Sequence, residues 1–268
     1  MSRRPTRSRA FTLVELLIVI GIIAMLISVL LPVLGKARQL AKTTQGLSNL
    51  RQIGNGLNMY ANANQGYLPV TTNPNQNWAV WINRYVGGES DQYDGAHNPL
   101  VKIFADPSAP MPGDGFAPGG VLHYSSNPLI IPEITRSYGG VTITRSYKVT
   151  ELRPYPNDIA LVFDGVQMLN RKGSAYPCAW ALDNSWLFGA LPGGTAYRKP
   201  TDTNATTPIN LRTNIDDWTT GGSSPPASDI RYRQQNGKAA NVLFGDGHVE
   251  TMKRGSILRL NTRPYRPH

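Results

Sequence analysis

An apolar stretch at residues 11–34, FTLVELLIVIGIIAMLISVLLPVL, constrains this chain more than any other feature. Glu15 is its only charged residue, and between Leu16 and Leu31 nothing is more polar than Ser28. Twenty-four helical residues at about 1.5 Å each span about 36 Å, enough for a hydrocarbon core of roughly 30 Å. The ten residues before it, MSRRPTRSRA, carry Arg3, Arg4, Arg7 and Arg9 and no acid. Such a basic leader keeps the N-terminus in the cytoplasm and sends the rest of the chain outward. Lys36, Arg38 and Lys42 sit just beyond the span, so this charge bias is modest.

The leader also explains part of the net charge of +10, from 27 Lys+Arg against 17 Asp+Glu. Four of the 27 basic residues lie in the leader and five (Lys253, Arg254, Arg259, Arg263, Arg266) in the last eighteen residues. That leaves 27 − 9 = 18 basic against 17 acidic groups between them, a near-neutral body. Basicity confined to the termini reads as topology, and no nucleic-acid partner is expected. Cys178 is the single cysteine, which excludes an internal disulfide and any CxxC site. His97, His123, His248 and His268 are scattered, and no GxxxxGK[ST], HExxH, GxSxG or GxGxxG string occurs. No catalytic residue and no cofactor is expected, and the chain reads as a non-enzyme.

Three readings of the apolar stretch compete. A cleaved secretory signal would end before Lys36, but the run exceeds the usual apolar length of about 7–15 residues. A plain membrane anchor accounts for length and leader, but not for a carboxylate five residues into the span, where burial is costly. The third reading rests on Arg9-Ala10-Phe11-Thr12-Leu13-Val14-Glu15-Leu16-Leu17. This string resembles the N-terminus of type IV prepilins and type II secretion pseudopilins. The resemblance implies cleavage by prepilin peptidase between Ala10 and Phe11, N-methylation of Phe11, and an assembly role for Glu15, fifth from the cut. It also implies a helix kink at Pro32. The family's residue before the cut is usually Gly, and Ala10 departs from it. In the physical account, a neighbour's Phe11 amine pairs with Glu15, neutralising two charges that are costly alone. The alternative is that Glu15 snorkels to the headgroups.

Beyond Pro32, Ala37, Leu40, Ala41, Leu47, Leu50, Ile53 (or Gly54), Leu57, Tyr60 and Ala61 recur in steps of three and four. This predicts an amphipathic helix over 35–65, weakened by Gly35, Gly46, Gly54 and Gly56 and stopped near Asn62–Gly66. A heptad coiled coil is disfavoured by the glycines. Residues 66–268 alternate short apolar runs with Gly/Pro/Asn clusters, which reads as strands and loops. Trp78–Val86 is ambiguous between helix and strand. Ile159–Gly165 and Ala240–Val249 are buried-type strands carrying Asp-Gly, and both aspartates read most simply as turn residues. Asp246-Gly247 predicts a type I′ hairpin with both residues at positive φ.

The segment ANVLFGDGHVE is similar to the C-terminal end of pseudopilin-like proteins that carry a His, nine residues and Asp-Gly. Here that spacing from Asp246-Gly247 reaches Asn236 instead of His. The resemblance covers residues 9–65, more loosely 151–165, and 236–252; Val166–Ser228 matches no pattern. The expected fold is α+β: a long N-terminal transmembrane and amphipathic helix packed on an antiparallel β-rich globular head. The expected parts are a leader at 1–10, a transmembrane and assembly helix at 11–34, its continuation at 35–65 and a head at 66–268. Expected partners are prepilin peptidase, other pilin-like subunits in a homo- or hetero-filament, and the membrane. The location would be the inner membrane, with the head outside the cytoplasm, and then an envelope filament.

Two further chemistries come into consideration. Some pseudopilins bind calcium in a C-terminal loop, which makes Asp216 and Asp217 candidates, although no DxDxDG pattern is present and solvated loop carboxylates explain them more simply. Trp78, Trp81, Trp180, Trp186 and Trp218 could line a glycan groove or pack in the core. The alternative class of function is a membrane-tethered extracytoplasmic enzyme or glycan-binding protein that uses a prepilin-type leader for export.

Overall fold

The structure is a computed structural model that describes residues 12–72, 77–89, 100–109, 122–127, 129–132, 137–138, 141–142, 146–152, 155–165, 168–169, 175–176, 230–258 and 261. Residues up to Ala41 form one compact unit and Lys42 onward a second.

One helix, α1, runs Leu13–Ala63. Mostly aliphatic residues carry it through the first unit, and Pro32 lies inside it. A proline there removes one backbone hydrogen bond. The helix is long and apolar enough to cross a membrane. Its large apolar side chains from Leu13 to Leu34 are exposed, Leu13 at 78% and Leu34 at 41%. Its C-terminus falls within the expected window: the Gly66 N–H bonds to the Ala61 carbonyl at 2.7 Å, with Gln65 and Gly66 at positive φ. A left-handed glycine after the last turn is a common helix stop.

In the second unit the buried residues of α1 are Thr43, Gly46, Asn49, Leu50, Ile53, Gly54, Gly56, Leu57 and Ala61. The expected stripe holds from Leu50 onward; before it Leu47 is half-buried and Ala37, Leu40 and Ala41 are exposed. Leu40 is 69% exposed, while the polar Thr43 and Asn49 are buried. Residues that hydrogen-bond to the head there replace the apolar residues that periodicity alone selects. Three of the glycines predicted as weak points, Gly46, Gly54 and Gly56, are contact points, while a Cβ at Gly35 would meet nothing within 4 Å among the described residues. A Cβ at Gly54 would fall 2.9 Å from Leu243 Cδ1, and one at Gly56 2.5 Å from Val86 Cγ1.

The ambiguous Trp78–Val86 segment is helical: α2 spans Trp78–Asn83, followed by a 3-10 turn at Arg84–Val86. Asn77 caps it, its Oδ1 accepting from Ala79 N at 2.9 Å and Val80 N at 3.3 Å. The strands are β1 (Tyr124–Ser126), β2 (Ser137–Tyr138), β3 (Val141–Thr142), β4 (Ala160–Asp164), β5 (Met168–Leu169), β6 (Ala175–Tyr176), β7 (Ala239–Phe244) and β8 (Val249–Lys253). Strands β1, β4, β7 and β8 make a four-stranded sheet in the order β1-β4-β7-β8, every neighbour antiparallel. β2–β3 and β5–β6 form two-stranded ribbons. Helix and antiparallel sheet together give an α+β, pilin-like fold.

β4 and β7 are buried along their whole length, so both faces of each are covered, mostly by apolar residues with Asp164 and Asn241 as buried polar members. On the helix side, Val162 and Leu243 pack with Leu50, Ile53, Leu57, Trp78 and Phe104. On the other side, Phe163, Ala240, Val242 and Phe244 pack with Ile230, Tyr232 and Ile257. Trp78 is fully buried edge-to-face on Phe104, with centroids 6.0 Å apart, so it is a core residue and not part of a glycan groove.

The β7–β8 connection differs from the expected two-residue turn. It uses four residues, Gly245–His248, and closes through Phe244 N to His248 O at 3.0 Å. Gly247 is at φ 89°, but Asp246 is not at positive φ. The Asp246 carboxylate accepts from His248 N at 3.0 Å and also meets His248 Nδ1. This Asx turn satisfies the backbone locally and removes the need for a left-handed aspartate. The backbone and side-chain bonds from His248 hold the Asp246 carboxyl below its ordinary range, outweighing partial burial.

Candidate functional site

Among the described residues, two places concentrate chemistry, one in each unit. The first is the start of α1. The Thr12 N–H donates to Glu15 Oε2 at 2.9 Å, the Thr12 hydroxyl donates to the same oxygen at 2.8 Å, and Glu15 N donates to Thr12 Oγ1 at 3.2 Å. This is a reciprocal capping box, in which Thr and Glu three residues apart satisfy each other's orphan N–H groups. The T-x-x-E string ahead of an apolar run is readable in the sequence, yet the carboxylate's anomalous position draws attention away from it. Glu15 therefore has a local partner in Thr12. Ala10 and Phe11 lie outside the described residues.

The second is a buried polar centre between the sheet and the helix residues that begin the second unit. Strand alternation places Val162 and Asp164 on one face of β4, and Asn241 and Leu243 on the same side of β7. The apolar members go under Leu50 and Ile53, and the polar members meet Thr43 and Gly46. Asp164 and Asp106 are both fully buried. Gln234 Nε2 donates to Asp164 Oδ2 at 3.0 Å and lies 3.4 Å from Asp106 Oδ2. Gln234 Oε1 accepts from Thr43 Oγ1 at 2.8 Å and Ser108 Oγ at 3.1 Å. The Asn241 backbone N–H also donates to Asp164 Oδ2, at 2.8 Å. Arg233 Nη1 stands 3.8 Å from Asp106 Oδ2, with its side chain 3% exposed. Tyr124 is paired in register with Asp164 across β1–β4. His123 Nδ1 accepts from the Asp106 N–H at 3.0 Å.

Burial first, and the Asp106 charge second, push the Asp164 carboxyl well above the usual carboxylate range. The same two influences, with Asp164 adding to them, raise the Tyr124 phenol. Gly46 completes the enclosure, because a Cβ there would lie 2.8 Å from Asn241 Nδ2 and 3.6 Å from Asp106 Oδ1. All these carboxyl oxygens are closed off from solvent, so the centre can hold charge and fix packing but offers no surface to a substrate.

The sequence-derived residues map onto this picture unevenly. Asp164, expected in a turn, is a buried strand residue at the heart of the centre. Asn236, selected by spacing, is exposed and left-handed at φ 60°, as is Gln235 at φ 52°. Gln234, two residues earlier, is the side chain that enters the centre. Asp106, Arg233, Gln234 and Thr43 are not singled out by the sequence, and no local motif marks them. Their only signal is polar residues beside apolar runs. Asp216 and Asp217 lie outside the described residues, as do Trp180, Trp186 and Trp218. Among the described residues, no group of three or more His, Cys, Asp or Glu is placed to hold a metal.

A family model for the prokaryotic N-terminal methylation motif matches residues 5–31. No curated protein and no solved structure matches the chain. The match supports a prepilin-type leader and points to a structural, type IV pilin-like or pseudopilin-like protein whose apolar helix suits membrane anchoring.

Proposed function

We propose that this chain is a pseudopilin-like structural subunit. Prepilin peptidase cuts it between Ala10 and Phe11 and methylates Phe11, and the mature protein assembles through α1 into a filament of type II secretion or type IV pilus kind. The observation that carries the reading is the methylation motif at residues 5–31, which from Leu13 onward lies on a helix whose large apolar side chains are exposed as far as Leu34. In this proposal residues 1–10 are the leader, 11–34 the membrane and assembly helix, 35–65 its continuation and 66–268 an extracytoplasmic head. Segment 236–252, with Asn236, Asp246 and Gly247, is the head's counterpart of the family's C-terminal motif. Other pilin-like subunits are the partners, and the membrane holds the subunit before assembly.

Leaving lipid for a filament gains little from the hydrophobic effect, because lipid already solvates the helix. Side-chain packing, a Pro32 kink and the charge pair must then decide. Cleavage creates a Phe11 ammonium and leaves Glu15 to exchange its bonds to Thr12 for a neighbour's amine. N-terminal sequencing with intact mass of the mature protein tests the processing. N-methyl-Phe11 is the expected first residue; Lys36, Ser2 or Met1 at that place overturns the proposal.

A further inference from the structure

The buried centre holds two carboxyl groups and one guanidinium. If both carboxyls were ionised, one negative charge would stand uncompensated in a volume sealed from water, an arrangement that proteins avoid by taking up a proton. The hydrogen bonds identify where that proton sits. Gln234 Nε2 and Asn241 N both bond to Asp164 Oδ2. Among the described residues, Asp164 Oδ1 accepts no hydrogen bond. A carboxylate calls for donors at both oxygens, whereas a neutral carboxyl group needs none at its hydroxyl oxygen, so the oxygen that receives no donor is where the proton fits. Asp106 has the opposite surroundings. Its Oδ1 accepts from Ser108 N at 2.8 Å, and its Oδ2 faces Arg233. These are the surroundings of an ion.

We propose that Asp164 and Asp106 form a one-proton lock that clamps the loop at 231–234 and the Thr43–Gly46 turn of helix α1 onto the sheet, and that loses its hold as pH rises. The parts are Asp164 carrying the proton, Asp106 and Arg233 forming the ion pair, and Gln234 bridging both carboxyls to Thr43. Among the described residues, the titratable groups facing Asp164 are Asp106 from the turn at 105–108, Tyr124 from β1 and Arg233 from the loop before β7; Gln234, Asn241 and Thr43 are neutral. His123 meets the Asp106 side of the centre, its Nδ1 accepting from the Asp106 backbone N–H.

The direction of the pH effect comes from proton linkage. The unfolded chain releases the Asp164 proton near the ordinary carboxylate value, while the folded centre retains it. The folded state therefore binds one more proton over the interval between those two values. The contribution of the lock is complete below the ordinary aspartate range, declines through neutral pH and is spent once the folded carboxyl itself ionises.

The test uses the full chain in detergent micelles. The unfolding constant of the wild type is expected to contain a component that rises about tenfold per pH unit above pH ~5, the signature of one proton. Asp164→Asn keeps the shape of the neutral carboxyl group and removes the proton, so this component should vanish. At pH 8 the variant should equal or exceed the wild type. An unchanged pH slope, or a variant less stable than the wild type at pH 8, overturns the lock. Asp106→Asn is the second variant. With its like charge gone, Asp164 can ionise against Arg233, and the slope should again shrink; an unchanged slope counts against the proposal. The infrared spectrum of folded wild-type protein at pH 7 needs no variant. It should contain the carbonyl stretch of a protonated carboxylic acid, and its absence overturns the proposal by itself.

Discussion

Gly56 of α1 offers a sharp test of how the helix meets the head. An added Cβ would lie 2.5 Å from Val86 Cγ1, against 3.6 Å and 3.7 Å from Ile82 Cδ1 and Cβ. The Ile82 distances are ordinary contacts, so the conflict is with Val86 alone. Val86 is branched at Cβ and cannot swing one methyl aside without moving the other. Gly56→Ala should therefore incur an overpacking cost of about 1–3 kcal/mol. Against this stands the helix preference of Ala over Gly, about 0.8–1.0 kcal/mol. The single variant should be less stable than wild type by about 1 kcal/mol. Val86→Ala removes the obstructing methyl groups and, because Val86 is half-buried, should itself cost about 1 kcal/mol. In that background the sign reverses: Gly56→Ala should stabilise by about 1 kcal/mol, since only the helix preference remains. The cycle's coupling energy then equals the overpacking cost, about 1–3 kcal/mol. Urea unfolding of the full chain in micelles, tracked by tryptophan fluorescence, measures all four corners. A coupling within about 0.5 kcal/mol of zero, as for independent sites, would refute the contact.

Gln234→Ala should destabilise the second unit by about 1–3 kcal/mol, because it strips a donor from buried Asp164 and an acceptor from Thr43 and Ser108; a loss under about 0.5 kcal/mol in the same urea experiment would contradict the bonding described. Glu15→Gln keeps a side-chain oxygen for the capping box but not the charge, whereas Glu15→Ala loses both. Filament incorporation, scored by crosslinking between neighbouring 11–34 helices, should fall in both variants with cleavage intact, and normal incorporation of Glu15→Gln would show that the charge has no part in assembly. Asp246 is held below its ordinary range, so its contribution is present above about pH 4 and is lost as pH falls through the folded value. NMR titration of its carboxyl should give a midpoint below that of an unstructured aspartate, and Asp246→Asn should abolish this acid-side loss.

What was legible in the sequence was what repeats locally. Sixteen residues from Leu16 to Leu31 without a charge specify an apolar helix, and the four arginines before it mark a basic leader. The stop near Asn62–Gly66 and the strands at Ala160–Asp164 and Ala239–Phe244 arise from composition and turn residues within a few positions of each element. The same local logic failed wherever a residue's partner is distant in sequence. Thr43 is buried because Gln234, 191 residues away, waits for its hydroxyl. Asp164 leaves turn chemistry for the core because strand pairing brings Asn241 to it across 77 residues. Gly54 and Gly56 look like defects in a helix until Leu243 and Val86 occupy the space they leave. Hydrophobic periodicity reports burial only when burial is apolar. A helix that docks through hydrogen bonds at one end and through small residues at the other is half invisible to it. The sequence by itself therefore determined the membrane-type helix and its prepilin-type leader motif. Only tertiary structure decided which face of α1 enters the head, and that two carboxyls, an arginine and a glutamine from separate segments share one sealed centre.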